Sequence, residues 1–183
     1  MNIKEMKNKI YLLLDIAPLE DESAVISAIE SAARKIALFT KCIRKSAKIY
    51  FSAEKGEFTA LLPEDFAVFC CVKHGARMYT RERFEILGGK IKSAQLSGEC
   101  ELLYCAYPPA AKSDESVIFE DAYVCDTAVY GAAMELLTQV RPADVQRYMR
   151  IATEYDERMA GMISSAAAGV ANTFFASGRG FFI

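Results

Sequence analysis

The sequence predicts an α+β protein: mainly an α-helical bundle of about four helices, with a central antiparallel β insert. Three observations carry this. Apolar residues recur at three- and four-residue steps over 2–44 and again over 118–166. Between 47 and 107 the step falls to two. Turn-forming residues crowd that middle stretch, at Gly56, Pro63, Gly75, Gly88-Gly89 and Pro108-Pro109.

Residues 2–17 place Ile3, Met6, Ile10, Leu13 and Ala17 on one face of an amphipathic helix. Pro18 and the acidic residues between Asp15 and Asp21 break it, and Asp21 and Ser23 are cap candidates for a second helix over about 22–44. That helix repeats Val25, Ile29, Ala32, Ile36, Phe39 and Ile43, a seam that another helix fills. Its C-terminal half is basic, with Arg34, Lys35, Lys41, Arg44 and Lys45. Cations suit the negative end of a helix dipole. The same five also suit a strip that meets nucleic acid or an acidic partner.

From Ala47, Ile49 and Phe51 alternate with Lys48, Tyr50 and Ser52, and Ala53-Glu54-Lys55-Gly56 supplies a hairpin turn. Phe58 to Leu62 returns and Pro63 closes it. Further strands are expected at 67–72, 76–79, 83–87, 90–95 and 99–106, as a meander in a small sheet or sandwich. Pro108-Pro109 ends the last strand before a polar loop. A third helix, about 118–140, has Phe119, Tyr123, Val129, Tyr130, Ala133, Leu137 and Val140 on one face, and Ala122, Cys125, Ala132 and Leu136 on another. It is expected to pack on two sides, with its alanines permitting close approach. The short link Arg141-Pro142-Ala143-Asp144 leads into a fourth helix, about 142–166, which repeats Val145, Tyr148, Ala152, Tyr155, Met159 and Met162.

The organisation read from this is one domain, 1–165, with its β insert at 47–107, followed by an apolar, glycine-containing tail at 166–183. Gly169, Gly178 and Gly180 are expected to prevent a firm helix there. Phe174, Phe175, Phe181, Phe182 and Ile183 are too apolar for solvent, so the tail is expected to order against a neighbour.

Hydrophobic content of 52% is that of a globular chain, and the net charge of −2 excludes a phosphate-binding surface over the whole molecule. No apolar run reaches the length of a membrane span, and the charged start, Met1 to Lys7, is unlike a signal peptide, so a cytoplasmic location is expected. In that setting Cys42, Cys70, Cys71, Cys100, Cys105 and Cys125 are expected to be reduced, buried, small hydrophobes.

Catalytic chemistry has little to work with. His74 is the only histidine, beside Gly75 in an expected turn. Cys71, His74, Cys100 and Cys105 match no zinc-ligand spacing, and Cys100 and Cys105 fall on opposite faces of a strand. Gly88-Gly89-Lys90 lacks the rest of a phosphate loop and reads as a turn. Glu99 and Glu101 form the polar face of a strand; Glu64, Asp65, Glu120 and Asp121 sit at element boundaries as caps; Asp126 lies near the third helix's apolar seam, at an exposed edge. Tyr50, Tyr79, Tyr104 and Tyr107 have few basic residues interleaved and read as core or interface tyrosines. No enzyme activity, cofactor or metal is expected.

The order of motifs resembles the head–tail connector (adaptor) proteins of tailed bacteriophages and prophages. The resemblance spans most of residues 1–163. It rests on the two N-terminal helices, Leu62-Pro63-Glu64-Asp65-Phe66 followed by strands, and the Cys100–Pro109 strand ending in Tyr-Pro-Pro. The Phe119–Leu137 helix with Val129-Tyr130-Gly131-Ala132-Ala133, and the Tyr155-centred helix, complete it. The cysteine-rich strands and phenylalanine-rich tail depart from the family pattern. The resemblance implies a structural subunit that forms a homo-oligomeric ring below the portal, contacts portal and tail proteins, surrounds passing DNA without sequence specificity, uses terminal segments to grip adjoining rings, and passes from the host cytoplasm into the virion. The competing expectations are a DNA-binding or regulatory module using the basic end of the second helix, and a small enzyme using His74 with a cysteine.

Overall fold

In the computed structural model, which describes residues 1–54 and 56–176, the first helix, α1 (Ile3–Leu14), opens on a reciprocal cap. The Asn2 side chain accepts from the Glu5 N–H while the Glu5 carboxylate accepts from the Asn2 N–H. Asp15, in the left-handed region at φ 53°, closes the helix before Pro18. The buried stripe is Ile3, Met6, Lys7, Ile10, Tyr11 and Leu14, while Leu12 is exposed. Expected in the stripe, Leu13 is only half-buried, because the face turns by one residue to accommodate Tyr11 and Leu14.

Two compact units make up the chain: Met1–Thr40 with Pro108–Ile183, and Lys41–Tyr107. The first holds α1, α2 (Ser23–Thr40), α3 (Ala122–Val140) and α4 (Val145–Ala176). Helix α2 stops at Thr40, not near 44, because Lys41 adopts a left-handed conformation at φ 52° that turns the chain out of the helix. Val25, Ile29, Ala32 and Ile36 bury as the periodicity predicts. Phe39 does not, being 65% exposed in the last turn. Helix α3 begins later than the apolar pattern suggests. Asp121 accepts from the Tyr123 and Val124 N–H groups and sets the start, leaving buried Ile118 and Phe119 ahead of it. Both faces of α3 bury, from Val124 to Leu137. The close approach expected from its small residues is present: a Cβ placed on Gly131 would lie 2.9 Å from the Tyr155 ring of α4 and 3.0 Å from Cβ of Ala32 in α2.

Helix α4 buries Ile151, Tyr155 and Met159 but exposes Val145. It also continues through Gly169 to Ala176, against the expectation that glycine would stop it. The run Ser165-Ala166-Ala167-Ala168 precedes that glycine and Val170-Ala171 follows. Alanine is the best helix former, and one interior glycine costs about 1 kcal/mol, which its neighbours offset. Among the described residues no helix is long and apolar enough to cross a membrane.

The second unit is a seven-stranded antiparallel sheet, larger than the small insert expected. Its strands are β1 (Arg44–Glu54), β2 (Glu57–Leu61), β3 (Phe66–His74), β4 (Arg77–Tyr79), β5 (Phe84–Leu87), β6 (Lys90–Ser93) and β7 (Gly98–Ala106), with a 3-10 turn at Arg81–Arg83. Three hairpins follow the expected turns, but the order β4-β3-β7-β1-β2-β6-β5 is no meander. The last strand inserts between β1 and β3, which pair its backbone on both edges. Cys100, Leu102, Tyr104 and Ala106 of β7 point into the core with Ile49, Phe51, Val72 and Ile91. The sheet curls on itself: Phe84 of β5 lies 5.4 Å from Phe69 of β3 and 6.2 Å from Phe51 of β1, between ring centroids.

Packing at Gly131 and Leu136 yields a stability prediction. Gly131→Val should cost about 1–3 kcal/mol through overpacking against Tyr155 and Ala32, and Leu136→Asp about 3 kcal/mol or more through an unpaired buried charge. Thermal denaturation checks both; an unchanged melting temperature for either would show that α3 is not the centre of its unit.

Candidate interaction sites

Polar groups gather at several places in each unit. In the helical unit, Lys7 is 3% exposed and forms ion pairs with Glu22 (2.5 Å) and Asp114 (2.6 Å). Hydrogen bonds to Asp114 and Glu22 raise its pKa above that of an ordinary lysine. It is a tie between α1 and the segments ahead of α2 and α3, reinforced by the Ile3 N–H on the Ser116 carbonyl and the Lys4 N–H on that of Asp114. Apolar spacing alone assigns no role to Lys7. Its position among Ile3, Met6 and Ile10 was the available signal.

Between α1, α3 and α4 of the same unit lies an open groove of about 350 Å³. Lys9, Leu12, Leu13, Asp126, Arg150 and Arg158 line it with Val129 and Tyr130. Lys9 and Asp126 form a 2.6 Å ion pair, so Asp126 is a partly exposed tether, as an edge position allows. Arg158 is held by Glu154 at 2.6 Å and stands 5.1 and 4.9 Å from the ring centroids of Tyr123 and Tyr130. These cations are committed within the fold, which leaves Arg150 and exposed Leu12 at the groove rim.

In the sheet unit, Leu62-Pro63-Glu64-Asp65-Phe66 forms a turn closed by the Phe66 N–H on the Pro63 carbonyl (3.0 Å). The turn presents Asp65 to two neighbours, and Asp65 is no helix cap as expected. Lys45 Nζ lies 2.6 Å from Oδ2, and the Tyr104 hydroxyl donates to Oδ1 at 2.8 Å. Tyr104 stacks on Phe66 at 5.8 Å between centroids. Burial of Asp65 pushes its carboxyl up, but hydrogen bonds from Lys45 and Tyr104 together outweigh this and hold it below the ordinary carboxylate value. Burial, then the Asp65 hydrogen bond and charge, push the Tyr104 phenol up to about 12.

The five basic positions do not share a helix face. Arg34 and Lys35 lie in α2, whereas Lys41 follows it and Arg44 and Lys45 open β1. Two are engaged, Lys35 with Glu135 at 3.7 Å and Lys45 with Asp65. Arg34, Lys41 and Arg44 are exposed. Of the apolar tail positions, Phe174 and Phe175 fall in α4, and Phe181, Phe182 and Ile183 lie outside the described residues.

His74 is exposed at the end of β3, in register with Arg77. Among the described residues no three His, Cys, Asp or Glu side chains converge as metal ligands. Gly88 and Gly89, at φ 59° and 73°, make the tight turn between β5 and β6. Glu99 and Glu101 pair across strands with Lys48 (2.8 Å) and Lys73 (3.8 Å). Cys100 and Cys105 occupy opposite faces of β7, as their spacing predicts, but Cys42 and Cys70 are exposed, contrary to the expectation of burial. Compared with known protein families the chain matches none, and it matches no curated protein sequence.

The Asp65 cluster predicts an alkaline titration. Because the folded pKa of Tyr104 stands above the ordinary value of 10, its contribution to stability is complete below pH 10 and is lost as pH rises from there to about 12. Ultraviolet titration of tyrosinate should show Tyr104 among the late-ionising tyrosines of the native protein, with Tyr11 and Tyr155, whose phenols burial also pushes up. Asp65→Asn should shift Tyr104 to lower pH; a titration unaffected by that change would refute the coupling.

Proposed function

We propose that this chain is a structural subunit of head–tail connector type, forming a homo-oligomeric ring between portal and tail around passing DNA, and performing no catalysis. The observation that carries the reading is the length of α4, which has 32 residues against 19 in α3, its neighbour across a short link. Gly161 stands level with the first turn of α3, since a Cβ built there would lie 3.8 Å from the Tyr123 hydroxyl oxygen. The helix therefore runs on past the end of α3 by roughly 20 Å, at about 1.5 Å per residue. That projecting length ends in a sequence with Val170, Phe174 and Phe175, a composition suited to docking on another subunit. The motif order that resembles the connector family supports the same reading, and the tail 166–183 is its proposed gripping segment.

The alternative, a DNA-binding or regulatory module, draws on Arg34, Lys41 and Arg44, which are exposed and outside the ion pairs that engage Lys35 and Lys45. Passing DNA would meet such cations without sequence readout.

Native mass spectrometry of the full chain should find a closed ring. Deleting 166–183 should leave the melting temperature within a few degrees and abolish self-association or portal binding. If the truncated chain unfolds, the tail belongs to the subunit core and the docking role is wrong. Monomers with tight, salt-dependent DNA affinity would favour the alternative.

A further inference from the structure

The sheet unit holds two thiols in contact. Cys70 of β3 and Cys105 of β7 have their sulfurs 3.6 Å apart. They are brought together by a bulge: Phe69 pairs with Tyr104 and Cys71 with Leu103, so Cys70 is the extra residue at the second of the two register shifts in this pairing. The bulge leaves Cys70 exposed, whereas Cys105 is 1% exposed, with its thiol also directed at the Lys41 carbonyl at 3.8 Å. Exposure decides which sulfur meets a reagent first, and contact decides which sulfur resolves it.

We propose that Cys70 and Cys105 are a disulfide-forming modification site, oxidised by low-molecular-weight disulfides and stapling β3 to β7. The Cys70 thiolate attacks one sulfur of the small disulfide, forming a mixed disulfide and expelling one thiolate. That thiolate takes the proton of Cys105, whose sulfur then attacks the Cys70 sulfur of the mixed disulfide and expels the second small thiolate, which takes up the proton that Cys70 released on ionising. Two protein thiols become one disulfide, and one small disulfide becomes two small thiols. Closure needs the sulfurs to approach from 3.6 Å to about 2 Å, a movement within reach of side-chain rotation. Burial, then the contact with Cys70, keeps the Cys105 thiol protonated up to about 12, so Cys105 is not the thiol that meets the reagent first.

The test uses the full chain carrying Cys42→Ser, which removes the other exposed thiol. Incubated with oxidised glutathione, it should lose two free thiols, retain no glutathione, and give a Cys70–Cys105 linked peptide on digestion. Its melting temperature should rise and return on reduction with dithiothreitol. Adding Cys70→Ser, a surface change that leaves the buried thiol in place, should abolish the thiol loss. Glutathione retained on Cys70 without a crosslink, a Cys70–Cys71 or Cys71–Cys105 link, or no thiol loss at all would overturn the proposal.

Discussion

The sheet unit depends on the pairing of its first and last strands. Between Arg44↔Cys105 and Phe51↔Gly98 the register of β1 and β7 runs without interruption, and the Ala106 N–H donates to the Ile43 carbonyl at 2.8 Å just beyond it. The chain therefore enters and leaves this unit side by side. A helical unit assembled from residues on both sides of an insertion needs that closure, since α2 and α3 pack together although some eighty positions separate them. Antiparallel pairing provides it through a ladder in which every bond supports the next. Every other strand is added outward from these two, three on the β2 side and two on the β3 side.

Small residues and buried charge organise the helical unit. Gly131 and Ala32 let three helices meet where a methyl group would already be too close to Tyr155. Apolar contact alone sets no unique arrangement of the segments before α2 and α3. The buried ammonium of Lys7 does so by requiring carboxylates from both, Glu22 and Asp114. An unpaired ammonium at that depth would be costly, so the two segments are held by a penalty as much as by an attraction. In the sheet, Lys45 and Tyr104 tie the turn before β3 through Asp65, a partly exposed cluster held by attraction rather than by a burial penalty.

What unites the proposed assembly role with the fold is the contrast between committed and uncommitted groups. Most acidic and basic side chains near the sites described are tied to partners within their own unit, as with Lys9–Asp126 and Arg158–Glu154. The apolar surplus instead sits at exposed positions such as Leu12, Phe39 and Met149, and in the sequence of the helix that outruns α3. Chemistry needs titratable groups left poised; association needs apolar surface left uncovered.

The period of its apolar residues by itself determined the number and type of the helices, and the strands with their glycine turns, because side-chain direction repeats locally at 3.6 or 2 residues whatever the fold. It also separated Cys100 from Cys105 across β7, and made α3 two-sided. Periodicity is blind to partners. That α2 ends at Lys41 and leaves Phe39 exposed, that α4 runs through Gly169, and that β7 inserts beside β1 were decided by backbone conformation and packing beyond the local window. The candidate sites were legible only as scattered residues. Lys7 with Glu22 and Asp114, Lys45 with Asp65 and Tyr104, and Cys70 with Cys105 join positions 15 to 107 residues apart, and only the tertiary structure brings such distant groups within bonding distance.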